Sequence, residues 1–156
     1  LENNDIKCPK IYGDPALLLP LFYKPKLLPR LKNKIGIIPH FLQYYKFKRH
    51  EINTEKYFLI NPIDKWENII NSIFSCKSII SSSLHGLICS DAYGKPNLWL
   101  DQYKLEEGDF KFRDYFLSQG REYKKITLLL QEKEELFYKD GNKINLELLK
   151  NNFPFL

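Results

Sequence analysis

Residues 56 to 100 alternate between two hydrophobic periods, and that alternation restricts the fold more than any other feature of the chain. "KYFLINP" (56–62) is a short apolar run closed by a proline. In "DKWENIINSIFSC" (64–76) the apolar residues fall at Trp66, Ile69, Ile70, Ile73 and Phe74. This is the i, i+3, i+4, i+7 spacing of a helix, with Asp64 placed to cap it. "KSIIS" (77–81) reads as a strand, "SLHGLICSDAYG" (83–94) as a helix stopped at Gly94, and "PNLWL" (96–100) as a strand again. Strand, helix, strand, helix, strand at this spacing predicts an α/β domain, a Rossmann-like parallel sheet flanked by helices.

The flanking segments extend the pattern. "KIGIIPHF" (34–41) predicts a buried strand ended by Pro39, with His40 presented in the following loop. Residues 42–55 suit a short helix or a loop. "DFKFRDYFLSQGR" (109–121) predicts a helix ended by Gly120, "ITLLL" (126–130) a strand or part of a helix, and "NLELLKNNF" (145–153) a terminal helix. "IYGDPALLLPLFYKPKLLPRLKNK" (11–34) is proline-rich and reads as a connector with apolar anchors. Its Gly13-Asp14-Pro15 marks a turn in which Asp14 can cap the local backbone.

At 156 residues, with 44% hydrophobic and 15% aromatic content, the chain suffices for one domain with a real core. No apolar run reaches the roughly 18 to 20 residues of a membrane span. The net charge of +5 and pI near 9.0 favour anionic partners. The lysines are scattered rather than clustered, so nucleic acid is not expected as a partner. Cys8, Cys76 and Cys89 lack metal or disulfide spacing; Cys76 and Cys89 lie in apolar stretches and read as buried thiols, which points to a reducing, cytoplasmic compartment. "LENNDIKCPK" carries neither an initiator methionine nor a signal core, so the chain is expected to be a piece of something longer.

In open parallel sheets, ligands bind beyond the carboxyl ends of the strands, where helices begin. "SSSLHG" (81–86) lies at such a junction. Ser81, Ser82 and Ser83 surround a helix N-terminus with hydroxyl donors, a setting that attracts an anion. His85 in the first turn can face that anion as an imidazolium, or act neutral as a general acid or base. Gly86 permits close approach of a ligand or of neighbouring backbone. The plainer alternative is that one serine caps the helix while the others satisfy backbone groups. "FKFRDYF" (110–116) forms a second constellation. Here Arg113 offers a planar fork and Lys111 a mobile charge for phosphate or carboxylate, unless both belong to a solvated basic face. His40 is a third candidate. No Walker loop, GxGxxG, GxSxG or spaced pair of carboxylates is present.

Taken together, "GDPALLLPLFY" (13–23), "IGIIPHF" (35–41), "SSSLHGLICSDAYGKPNLWL" (81–100) and "FKFRDYFLSQGR" (110–121) resemble the polysaccharide pyruvyl transferase family in order and spacing. The resemblance implies an enzyme of two Rossmann-like domains in a GT-B-like arrangement, of which residues 1–156 look like the single carboxyl-terminal domain. Residues 1–33 would connect it to an amino-terminal domain. It also implies transfer of the enolpyruvyl unit of phosphoenolpyruvate onto a sugar as a ketal, in cytoplasmic synthesis of bacterial exopolysaccharide. Phosphoenolpyruvate is the donor and no further cofactor is expected.

The implied partners are a glycan or lipid-linked sugar acceptor, which would bring the protein near a membrane, the amino-terminal domain, and a second copy in a homo-oligomer. The family's Leu-His pair falls on Leu84 and His85, so His85 is expected to contact the donor and serve as catalytic acid or base. Ser83 stands where the family often carries arginine, with Lys111 and Arg113 as supplementary anion contacts. The isolated domain is expected to be inactive. Two rival readings are a nucleotide-sugar-binding half of a GT-B glycosyltransferase, and a non-catalytic domain that binds an anion or a partner.

Overall fold

The structure, a computed structural model, describes residues 12–50, 52–103, 108–122, 124–127 and 132–152. Cys8, the start of the connector, the end of "ITLLL" and the last residues of the terminal segment lie outside them.

The strands are β1 (Ile35–Ile38), β2 (Tyr57–Leu59), β3 (Ser78–Ser81), β4 (Asn97–Leu100) and β5 (Lys125–Ile126). They form one parallel five-stranded sheet in the order β2-β1-β3-β4-β5. The helices are α1 (Leu19–Phe22), α2 (Tyr44–Arg49), α3 (Trp66–Ser75), α4 (Leu84–Ala92), α5 (Phe110–Ser118) and α6 (Leu146–Asn151). The α/β Rossmann-like architecture expected from the alternating periods is thus the one observed. No helix of the described residues is long and apolar enough to cross a membrane.

The strands are apolar on both faces because both faces are covered. On one side Ile37, Ile80 and Leu98 pack with Phe47 of α2. On the other, Ile38 and Ile79 pack with Ile70 and Ile73 of α3, and Trp99 packs with α4 and α5. Trp99 stacks on Phe112, with ring centroids 4.5 Å apart and an interplanar angle of 11°. Gly36 makes the α3 side possible, because a Cβ there would come within 2.7 Å of the Ile79 side chain.

Two local expectations are corrected. Asp64 is not the N-cap of α3: Lys65 occupies that position, and its side chain makes no capping bond. The Asp64 carboxylate instead accepts from the Lys65 N–H (2.7 Å) and from Asn68 Nδ2 (3.1 Å), because the chain enters the helix one residue later. The proline-rich stretch, read as a connector without regular elements, forms helical turns at Pro15–Leu18, α1 and Pro29–Leu31. Leu17, Leu18 and Leu31 are buried in the domain's own core. Asn71 and Ser75 of α3 hold the segment after α1, accepting from the main-chain N–H groups of Lys26 (2.7 Å) and Leu28 (2.8 Å).

A buried polar cluster joins α4, β4 and the end of α5. Asp91, 1% exposed, accepts from Tyr115 Oη (2.6 Å), Asn97 Nδ2 (2.6 Å) and Arg121 Nη1 (3.2 Å). The Arg121 guanidinium lies 4.0 Å from the ring centroids of both Phe116 and Tyr138. Burial pushes the Asp91 carboxyl up from its ordinary value, while the Arg121 charge and the bonds from Tyr115 and Asn97 pull it back.

Candidate functional site

The strand order makes the carboxyl ends of β1 and β3 a topological switch point. From β1 the chain moves to β2 on one side, and from β3 it continues to β4 and β5 on the other. Ligands of doubly wound sheets settle in the crevice at that position. Ile38 and Ser81 are in register there, so His40 and the "SSLHG" turn emerge side by side.

The three serines divide their work. Ser81 Oγ is fully buried, accepts from the Ser83 N–H (3.0 Å), and lies 2.8 Å from the carbonyls of both Ile38 and Ser83. Ser82 Oγ accepts from the His40 N–H (2.9 Å) and donates to Gln43 Oε1 (2.7 Å). These two hydroxyls are taken up in joining the turn to the loop after β1, as the plainer alternative allowed. Ser83 is the N-cap residue of α4, yet its side chain caps nothing. The first closing bond of the helix runs from Leu87 N–H to Ser83 O (3.3 Å), so the amides of Leu84, His85 and Gly86 precede the ladder.

The first turn of α4 separates two depressions. Ser83, His85 and Gly86 line a groove of about 260 Å³ walled by α3, chiefly Trp66, Ile69 and Ile73. Leu84 lines a cleft of about 740 Å³ with Asp14, Lys111 and Asp114. The His85 side chain is 74% exposed, and its Nε2 lies 3.9 Å from Asp14 Oδ2. Gly86 is pressed onto Ser81: a Cβ would collide with the Ser81 hydroxyl. Neighbouring protein atoms, then, use the close approach that glycine allows. Cys89, one turn after His85 and also in the groove, is pushed up to about 12 by burial and by the Asp14 charge, so its thiol stays protonated.

The other candidates are less closely gathered. Lys111 shares the cleft with Asp14, whereas Arg113 is exposed on α5 and does not line it. His40 packs its ring on Phe41, with centroids 4.5 Å apart, and its main-chain N–H donates to Ser82 Oγ.

A family model described as polysaccharide pyruvyl transferase matches residues 1–102. The chain belongs to that family. The matched span contains the whole "SSSLHG" junction and the Gly13-Asp14-Pro15 turn, and it ends before Lys111 and Arg113. An uncharacterized protein of Acanthamoeba polyphaga mimivirus is 33% identical to this chain over 129 residues, covering 76% of it. The chain spans 44% of that relative's length. No solved structure matches.

Sequence reasoning missed two parts of this candidate site in the pyruvyl transferase family member. The apolar spacing of Trp66, Ile69 and Ile73 announces a helix but not that the helix walls the groove beside His85. Asp14, far from His85 in the chain, had been read only as a turn residue; nothing but the fold brings the two together.

Proposed function

We propose that this chain is the donor-side domain of a pyruvyl transferase, which moves the enolpyruvyl unit of phosphoenolpyruvate onto a sugar of a cell-surface polysaccharide as a ketal. The observation that carries the reading is the place of His85: first turn of α4, at the switch point, inside the span matched by the family. Phosphoenolpyruvate presents a phosphate and a carboxylate, and the amides of Leu84, His85 and Gly86 at a positive helix end suit one of them. The apolar α3 wall suits the carbon skeleton.

In the reaction one sugar hydroxyl adds to C2 of the donor while a proton is delivered to C3, which becomes the methyl group. A second hydroxyl of the same sugar then displaces phosphate from C2, closing the ketal and releasing inorganic phosphate. His85 moves the proton at one of these steps. Ser83 stands in place of the arginine common in the family, and Lys111, in the cleft on the other side of the same helix turn, is the candidate best placed to supplement the anion contacts.

The acceptor, a glycan or lipid-linked sugar, is held largely by the rest of the protein, so this domain alone is inactive. The enzyme works in the cytoplasm. Phosphoenolpyruvate is its donor substrate, with no separate cofactor.

His85→Ala in the full-length protein is the test. Ketal formation and phosphate release should fall by about 10²- to 10⁴-fold with the fold intact, the usual worth of a positioned acid or base. Unchanged turnover in a folded variant would remove His85 from the chemistry and favour the non-catalytic reading.

A further inference from the structure

We infer that Asp14 is the positioning carboxylate of His85: its free oxygen orients the imidazole across the first turn of α4, while its other oxygen fixes the turn that carries it. The inference rests on the role proposed for His85. Asp14 is the N-cap of the Pro15–Leu18 turn, where Oδ1 accepts from the Ala16 N–H at 2.8 Å. That single bond would satisfy the cap, and asparagine or serine would supply it as well. The second oxygen is not needed for the turn and lies 3.9 Å from His85 Nε2.

The carboxylate is held on a rigid base. Pro15 restricts the backbone on one side, and Leu17 and Leu18 are buried against Leu87 and Ile88 of α4, the helix that bears His85. Asp14 is 28% exposed at its side chain against 74% for His85, so the carboxylate is the fixed partner and the imidazole the mobile one. The other charged groups facing the same cleft are Lys111 and Asp114 of α5.

An imidazole with a carboxylate at Nε2 keeps its proton on that nitrogen and presents the Nδ1 lone pair, because the partner of one ring nitrogen sets the state of the other. A separation of 3.9 Å exceeds a hydrogen bond. Such contacts are commonly long before substrate binds and close in the complex. Asp14 therefore acts through His85 and need not touch the donor.

Asp14→Asn separates the two jobs of the side chain. It keeps the acceptor for the Ala16 N–H but replaces the oxygen facing His85 with an amide donor, which opposes a proton on Nε2. In the full-length protein, Asp14→Asn should unfold at the wild-type temperature. Its kcat should fall about tenfold or more, as misplacing a reacting group does, with KM for phosphoenolpyruvate changed far less. In a His85→Ala background it should cost nothing further. Long-range 1H–15N correlation spectra of the histidine rings should show the Nε2–H form of His85 in the wild type and its loss in Asp14→Asn.

Wild-type kcat and an unchanged tautomer in Asp14→Asn, with His85→Ala inactive, would overturn the inference and leave the donor-site reading standing. An equal loss in the His85→Ala background would overturn it too. If His85→Ala retains full turnover, the donor-site reading fails separately, and the ring spectra still decide whether the pair is coupled. Should Asp14→Asn fold poorly, Asp14→Ser keeps a capping oxygen and is read the same way.

Discussion

A methyl group added at Gly86 would collide with the Ser81 hydroxyl and come within 3.1 Å of the Ser81 Cβ and 3.2 Å of Ile38 Cγ2. The start of α4 is seated directly on the end of β3, and the turn that presents His85 owes its place to that contact. Gly86→Ala should therefore cost about 1 to 3 kcal/mol in denaturant unfolding, the usual range for overpacking a tight core. In a Ser81→Ala background the penalty should shrink, because the nearest atom has gone. Equal penalties in both backgrounds would mean that the clash is relieved elsewhere. At this scale much was legible: the Leu84-His85-Gly86 turn and the need for glycine are both visible in "SSSLHG". How the serines share their hydroxyls was not, because Ser81 reaches Ile38 at the end of β1, and Ser82 reaches His40 and Gln43 just beyond it, some forty residues away in the chain.

At the scale of elements, the Asp91 cluster locks α4 to α5. Asp91 sits in "SDAYG" and Arg121 follows the Gly120 stop, and neither declares a partner in the sequence. Arg121 is 5% exposed at its side chain and Asp91 wholly buried. Removing the guanidinium leaves an uncompensated carboxylate in the core, so Arg121→Ala should lose about 3 to 5 kcal/mol of stability by chemical denaturation. A loss under 1 kcal/mol would show that water or Tyr115 and Asn97 alone satisfy Asp91. Elements of strong period were readable: α3 and α4, and the short runs that became β1 to β4. The apolar anchors of the proline-rich stretch were readable, but its short helical turns were not, because its apolar residues follow no single period. Leu17 and Leu18 are buried on one helical turn and Leu31 on another, each against a different part of the sheet's helical layer.

For the whole molecule, the strand order matters more than any single helix. It brings the loop after β1 and the turn after β3 to one crevice, and so places His85 where a doubly wound fold binds ligands. The alternating periods were enough to predict a parallel sheet, but not its order, since each crossover is compatible with pairing on either side. The same limit hid the approach of Asp14 to His85, which depends on how the first segment wraps over α4. Leu21 and Phe22 after α1's start, and Phe41 and Leu42 beyond β1, remain exposed. The chain spans 44% of its relative's length. The central claim is that this crevice takes phosphoenolpyruvate. Calorimetric titration of the full-length protein with phosphoenolpyruvate, beside a panel of nucleotide sugars, tests it most directly. Saturable binding of phosphoenolpyruvate that weakens in His85→Ala is the predicted result. Saturable binding of a nucleotide sugar with no response to phosphoenolpyruvate would contradict it.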